Sequence, residues 1–114
     1  MENKKTEHKS EKRIFSIVKR IQSFEHAGNG IRVFLKTTHN AWVHISVAVI
    51  VIFLGFVFDI SQTEWMFLVL SIGFVLTAEA FNTALEFDID LTSPEYHEFA
   101  KYTKDVAAGA VLIA

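Results

Sequence analysis

The sequence predicts an all-α integral membrane helix bundle, made of an N-terminal amphipathic surface helix and three transmembrane helices. Its 114 residues suffice for one domain. The apolar fraction of 51% is high, and after residue 40 the apolar residues form long runs with almost no charge. A single proline and 11 phenylalanines favour long helices over a sheet. The absence of cysteine excludes disulfides, thiolate metal sites and a cysteine nucleophile.

The N-terminal region divides into a tail and a surface helix. Residues 1–12 are polar and lack apolar periodicity, so we expect a disordered tail. A basic amphipathic helix is predicted over residues 13–36, suited to the membrane interface or to packing against the rest of the protein. Its apolar stripe has helical spacing and comprises Ile14, Ile17, Val18, Ile21 and Phe24. We expect a turn or a close approach at Gly28, Asn29 and Gly30.

Three apolar runs predict the membrane spans. Residues 41–58 form an uncharged run of 18 residues, close to the length that crosses a bilayer. The second span is expected over residues 65–87. A third run begins at Val106 and its nine residues reach about half of a bilayer, so we expect a third span that is incomplete in this chain.

A cytoplasmic helix is predicted to lead into the third span, together occupying residues 94–114. Ser93 is a good N-cap, Pro94 suits the first helical position, and Glu95 complements the positive helix end. The one-domain unit therefore extends over residues 13–114.

The distribution of cations predicts the topology. Nine of the 11 Lys and Arg precede residue 41, the other two are Lys101 and Lys104, and the loop between the first two spans has none. All basic residues thus lie on one side if both runs span, and that side is expected to be cytoplasmic. The N-terminus then lies in the cytoplasm.

A polar stripe ends the second span. Glu79, Asn82, Glu86 and Asp90 are spaced i, i+3, i+7 and i+11, which keeps them in one sector of a helix. A carboxyl within hydrocarbon costs on the order of a few kcal/mol, so it is a functional candidate by default. The alternative is that these carboxyls are solvated at the interface.

The stripe is expected to meet Lys104 and Asp105 at the cytoplasmic membrane face. Carboxylates that hold Mg²⁺, with a lysine that offsets phosphate charge, are what phosphoryl transfer requires. Lys104 in an ordinary helix ion pair is the alternative. The chain has no P-loop and no kinase-type catalytic motif, and its histidines are too scattered for a zinc site.

Three motifs together resemble the prokaryotic diacylglycerol kinase family, which includes the undecaprenol kinases. They are Glu-x-x-Asn-Thr-Ala-x-Glu-x-x-x-Asp from Glu79 to Asp90, Glu-Tyr-His-Glu from Glu95 to Glu98, and Lys104-Asp105 followed by Ala-Ala-Gly-Ala-Val-Leu-Ile-Ala. The likeness is gapless from about residue 79 to 114 and weaker over residues 24–44.

The resemblance implies a small homotrimeric enzyme of the bacterial inner membrane, with its active site on the cytoplasmic side. Such an enzyme transfers the γ-phosphate of MgATP to a membrane lipid hydroxyl, and we expect diacylglycerol as the acceptor and phosphatidic acid as the product. Undecaprenol is the alternative acceptor. No nucleic-acid partner is expected.

The resemblance also implies roles for individual residues. Glu79 would be the general base, and Glu86 would bind the metal with Asn82 beside it. The positions implied to contact ATP are Glu86, Lys104, Asp105, Glu95, His97 and Lys19, the last in a place often held by arginine. Asp90 closes the motif without an assigned role.

One departure from the family pattern concerns the metal. Thr38 occupies the position where many members carry a glutamate that shares metal binding, and a hydroxyl supplies no charge. This departure favours a second interpretation, in which the chain is a catalytically weak membrane binding or regulatory member of the family.

Overall fold

A computed structural model describes residues 1–114 and contains four α-helices and no strand. The helices are α1 (Glu2–Thr37), α2 (His39–Val57), α3 (Gln62–Thr92) and α4 (Glu98–Ile113). The prediction of an all-helical chain is confirmed. The helices divide into an N-terminal unit of residues 1–33 and a second unit of residues 34–114.

The N-terminal unit is helical where the sequence predicted a tail and a turn. Helix α1 begins at Glu2, so the expectation of disorder in residues 1–12 is corrected. Glutamate and lysine dominate that segment and are good helix formers, and no proline interrupts it. The helix also continues through Gly28 and Gly30, each of which costs only about 0.5–1 kcal/mol relative to alanine. Neither glycine approaches another atom closely.

Thr38 separates α1 from α2 because its backbone is extended, with φ −101° and ψ 102°. Two hydrogen bonds fix this junction. The Ala41 N–H donates to the Thr38 carbonyl at 3.2 Å, and the Trp42 indole donates to the Leu35 carbonyl at 2.7 Å. Ala41 is fully buried beneath it. The junction therefore holds Thr38 in a defined place at the start of α2.

A tight hairpin joins α2 to α3. Ser61 and Glu64 form a reciprocal capping box at the start of α3. Asp59 adopts a left-handed conformation with φ 50°, which aspartate tolerates better than most residues. Gly55 lets the Trp65 ring approach the α2 backbone, since a Cβ at this position would lie 2.7 Å from the ring.

Helix α3 is longer than the sequence predicted, and the start of α4 is corrected. Helix α3 runs to Thr92 and ends at Ser93, because the residue before a proline disfavours the helical conformation. Helix α4 begins at Glu98 rather than Pro94. His97, not Ser93, caps it, and its Nδ1 accepts a hydrogen bond from the Phe99 N–H at 3.1 Å.

The second unit exposes its apolar side chains instead of burying them. Helix α3 packs against both α2 and α4, yet the buried apolar residues are only Ala41, Ile89 and Ala107. By length and composition, α2 and α3 are able to cross a membrane. Both leave most of their apolar surface uncovered, unlike the core helices of a soluble protein. The chain is thus a membrane helix bundle.

We predict that Gly55→Ala destabilises the α2–α3 hairpin. The added methyl clashes with Trp65, and such overpacking should lower the free energy of unfolding by about 1–3 kcal/mol. Thermal unfolding in detergent micelles, followed by circular dichroism, measures the change. Gly73→Ala is the matched control, because no atom lies within 4 Å of its added Cβ. Equal melting temperatures for the two variants would contradict the role of Gly55.

Candidate functional site

Three buried polar side chains lie on one face of α3. Glu79, Asn82 and Thr83 are 2%, 7% and 6% exposed, respectively. Their positions follow the predicted helical stripe, with Thr83 added beside Asn82. An unpaired carboxylate is expensive to bury, so its partners determine what this face can do.

The stripe opens into a small cavity of about 180 Å³, here called the acidic cavity. Its walls come from the α1–α2 junction and from α3. The lining residues are Thr37, Thr38, His39, Asn40, Glu79, Asn82, Thr83, Glu86 and Phe87. The structure therefore brings together the predicted base Glu79, the predicted metal ligand Glu86 and its neighbour Asn82. Thr38, which replaces the glutamate of many family members, lies at the same cavity.

Glu79 meets a histidine across the helix interface. The His44 Nε2 of α2 lies 3.4 Å from Glu79 Oε2, and the two side chains are 29% and 3% exposed. The sequence showed His44 as the sole histidine of the first apolar run, but it gave no indication of this partner. A histidine opposite a buried carboxylate offsets part of the cost of its burial.

Asn82 turns its two polar atoms in different directions. Its Nδ2 donates to Glu86 Oε1 at 3.4 Å, while its buried Oδ1 has no hydrogen-bond partner. Few buried acceptors in proteins lack a partner, so this oxygen is available to a ligand. In this cavity the candidate ligands are a cation, a water molecule or a hydroxyl.

The Thr38 hydroxyl is within hydrogen-bond distance of a neighbouring side chain. Its hydroxyl lies 3.0 Å from the Thr83 hydroxyl, and either oxygen can be the donor. Thr38 therefore lines the acidic cavity and adds a neutral hydrogen bond instead of a charge. Thr83 has no role in the sequence prediction, and its only sequence signal is its place beside Asn82.

The second group of predicted residues lines a different cleft, here called the basic cleft. It has a volume of about 400 Å³ and lies where α3 turns into α4. Its polar lining residues are Asp90, Ser93, Glu95, Tyr96, His97, Lys101, Lys104 and Asp105. Four residues implied to contact ATP thus converge on one cleft.

Two ion pairs organise the basic cleft. Lys104 Nζ contacts Asp90 Oδ1 at 2.7 Å, which gives Asp90 a partner that sequence reasoning had not assigned. Lys101 Nζ contacts Asp105 Oδ2 at 3.1 Å, one helical turn away. All four side chains are at least 41% exposed, so these pairs can exchange for contacts with a ligand.

The neighbouring acid Glu98 points to a different partner. It accepts a hydrogen bond from the Tyr102 phenol at 2.8 Å, and this bond holds the pKa of Tyr102 above its ordinary value. Glu98 is accordingly engaged within α4 and is absent from the lining of the basic cleft.

Lys19 belongs to the N-terminal unit, where its ammonium lies 5.2 Å from the centroid of the Phe15 ring. This is cation–π geometry. Its implied contact with ATP stays a prediction.

The donor atoms of the acidic cavity suit a hard divalent cation. No cluster of three or more carboxylate, histidine or cysteine side chains is close enough to hold a metal by itself. Magnesium, however, commonly uses one or two carboxylates with phosphate and water oxygens. Glu86 and the unpartnered Oδ1 of Asn82 fit that limited role.

The helix bundle, its exposed apolar faces and a polar stripe that includes the buried Glu79 together define a small membrane protein with a polar site at one end of its spans. The family model for prokaryotic diacylglycerol kinase matches residues 25–114. The chain therefore belongs to the prokaryotic diacylglycerol kinase family and is a lipid kinase by class.

Individual relatives agree with this assignment. The chain is 41% identical to undecaprenol kinase of Bacillus subtilis (strain 168) over 92 residues, which cover 81% of the chain and 75% of that enzyme. It is 39% identical to diacylglycerol kinase of Synechocystis over 93 residues, covering 81% of the chain and 53% of the relative. For diacylglycerol kinase of Escherichia coli (strain K12) the identity is 36% over 56 residues, which cover 49% of the chain and 46% of that enzyme. No solved structure matches the chain.

We predict that Asp90→Asn changes stability little. The Lys104–Asp90 pair is solvent-exposed, and such pairs contribute about 0–1 kcal/mol. Chemical unfolding in micelles measures the change, with Asp105→Asn as the matched control for the neighbouring pair. A loss well above that range for Asp90→Asn alone would show that the pair fixes the α3–α4 packing.

Proposed function

We propose that this protein transfers the γ-phosphate of MgATP to the hydroxyl of a long-chain membrane lipid alcohol. The observation that carries the proposal is Glu79, a carboxylate that is 2% exposed yet lines a cavity shared with Glu86 and the free Oδ1 of Asn82. A buried carboxylate that shares a cavity with oxygen ligands is an arrangement suited to hydroxyl activation and phosphate binding.

The reaction follows from the residues of the acidic cavity. The acceptor hydroxyl oxygen forms a bond to the γ-phosphorus, and the bond from that phosphorus to the bridging oxygen of ADP breaks. Glu79 takes the hydroxyl proton and later releases it to water. Glu86 and Asn82 would hold Mg²⁺, which when bound with ATP offsets negative charge on the phosphates.

The basic cleft supplies the second half of the proposed ATP site. Lys104 would exchange Asp90 for phosphate oxygens, because an exposed ion pair is weak and a lysine readily binds phosphate. Glu95, His97 and Asp105 line the same cleft and are proposed to contact the nucleotide, with Lys19 as a further contact. His97 reaches this position through its cap on α4.

Undecaprenol is the acceptor that the comparisons favour. The chain is 41% identical to the undecaprenol kinase of Bacillus subtilis, against 39% and 36% for the diacylglycerol kinases of Synechocystis and Escherichia coli. Diacylglycerol, the acceptor expected from the family resemblance, is the second candidate, because the site residues serve both lipids. A radiolabelled ATP assay in micelles that offers both lipids in parallel tests the choice. Transfer to neither lipid would exclude the proposed function.

We also propose a homotrimer in the bacterial inner membrane, with the N-terminus and the site on the cytoplasmic side. The one-sided distribution of lysine and arginine supports this orientation. The exposed apolar faces of α2 and α3 provide surface for lipid and for neighbouring subunits.

A catalytically weak binding or regulatory protein is the second candidate function. Thr38 favours it, since a neutral hydroxyl paired with Thr83 replaces a charged ligand at the acidic cavity. The affinity for ATP at millimolar Mg²⁺ discriminates between the two functions, because only the kinase requires such binding.

We predict that Glu79→Gln lowers kcat for lipid phosphorylation by roughly 100-fold or more, the usual contribution of a general base. The affinity for ATP should change little, because Glu79 is not proposed to contact the nucleotide. Glu64→Gln is the matched control at the opposite end of α3, where glutamine preserves the capping box. An unchanged kcat in Glu79→Gln would refute the assignment of the base.

We predict that Thr38→Glu strengthens Mg²⁺ binding by roughly tenfold, or about 1.4 kcal/mol, because it adds a charged oxygen ligand. Calorimetric titration of Mg²⁺ in the presence of a non-hydrolysable ATP analogue measures this without turnover. Thr38→Ser keeps the hydroxyl and should bind Mg²⁺ as the unaltered protein does. Unchanged Mg²⁺ affinity in Thr38→Glu would place the metal away from this cavity.

A further inference from the structure

We propose that His44 is a positioning residue that holds the Glu79 carboxylate at the polar end of an apolar groove, where the chain of the acceptor lipid lies. The inference rests on the proposed function. It specifies how the acceptor enters the site and adds a residue that carries no role in the sequence prediction.

The groove, here called the α2–α3 groove, has a volume of about 550 Å³ and runs between α2, α3 and α4. Its walls are aliphatic apart from His44 and Ser71, and the Ser71 hydroxyl is bonded to the Phe67 carbonyl of its own helix. A volume of this size accommodates a substantial apolar ligand. His44 is therefore the only polar lining residue that faces a group outside its own helix.

His44 connects the groove to the acidic cavity. Its ring lines the groove, and its Nε2 lies 3.4 Å from Glu79 Oε2, while Glu79 lines the cavity. From His44 to Val51 the groove extends about 10 Å along α2 at 1.5 Å per residue. A chain lying in the groove with its hydroxyl toward His44 would present that hydroxyl to Glu79.

The His44 imidazole can fix the orientation of the Glu79 carboxylate. The Glu79 carboxylate makes no other hydrogen bond or ion pair, so His44 is the contact that restricts it to one orientation. A displacement of a reacting group by about 1 Å can lower the reaction rate roughly 100-fold. The role of His44 is thus geometric, and it acts through Glu79.

A second apolar groove on α3, here called the opposite groove, is the main competitor. It has a volume of about 560 Å³ and is bordered by Phe74, Phe81 and Asn82. None of its lining residues forms an ion pair with Glu79, as His44 does from the α2–α3 groove. We therefore assign the lipid chain to the α2–α3 groove.

Photo-crosslinking tests the placement of the chain without turnover. The full chain in micelles is labelled with a diacylglycerol, and in a second arm with a polyisoprenol, each carrying a diazirine near the far end of a chain. Mass spectrometry should find adducts on Val51 and Leu68, and Val75→Trp should reduce them by filling the groove. Phe74→Trp in the opposite groove is the control. Adducts confined to the opposite groove would overturn the proposal.

The contact between His44 and Glu79 has its own readout. In protein with ¹⁵N-labelled histidine, the His44 ring resonances should shift in Glu79→Gln, while those of the surface residue His26 should not. An unchanged His44 resonance would overturn the positioning role. Neither this measurement nor the crosslinking requires activity, so both give an answer even if no lipid is phosphorylated.

Kinetics separate positioning from a merely structural role. His44→Ala should lower kcat with lipid by about tenfold or more and leave the KM for ATP unchanged. His44→Gln should recover part of the rate, because its amide can still reach the carboxylate. Ser46→Ala, a neighbouring polar change whose hydroxyl bonds only the Trp42 carbonyl, should retain full activity. A wild-type rate in His44→Ala would refute the role.

The outcomes distinguish the two proposals. If the unaltered protein is crosslinked in the α2–α3 groove but transfers phosphate to neither lipid, the proposed function fails while the placement of the chain stands. If it phosphorylates a lipid but crosslinks in the opposite groove, only the present inference fails.

Discussion

The burial of the Glu79 carboxylate in an otherwise apolar helix is the constraint on which the rest of the structure depends. A carboxylate that is 2% exposed needs partners, and the bundle provides His44 on one side and a polar cavity on the other. Helix α2 must therefore pack with His44 against α3. The hairpin secures that register through the close contact of Gly55 with Trp65.

Helix α3 contributes polar side chains to two separate sites. Glu79, Asn82 and Glu86 serve the acidic cavity, whereas Asp90, one turn beyond Glu86, serves the basic cleft. The extension of α3 to Thr92 makes this possible, because one rigid helix supports both sites. Carboxylates and a lysine at the two ends of such a stripe are compatible with a ligand that carries several phosphates and a divalent cation.

The apolar surface has a complementary role. Helices α2 and α3 leave large side chains exposed, so the bundle is compatible with a surrounding of hydrocarbon. Two grooves of similar size flank α3, but only one of them borders a residue that contacts the buried carboxylate. The polar residue at its end, and not its volume, distinguishes the α2–α3 groove from the opposite groove.

The sequence by itself determined the helical class, the apolar spans and the stripe from Glu79 to Asp90, because periodicity and uninterrupted hydropathy are local properties. The resemblance to the family, and not a local pattern, identified Thr38 as a departure at the position of an expected glutamate. Only the tertiary structure decided that His44 faces Glu79, that Lys104 pairs with Asp90 and that Asn82 has a free oxygen. These contacts join residues from 14 to 35 positions apart or depend on side-chain direction, and no local pattern encodes them. The cap on α4 shows the same limit, because the sequence predicted Ser93 as the cap, whereas in the structure α3 runs to Thr92 and His97 caps α4.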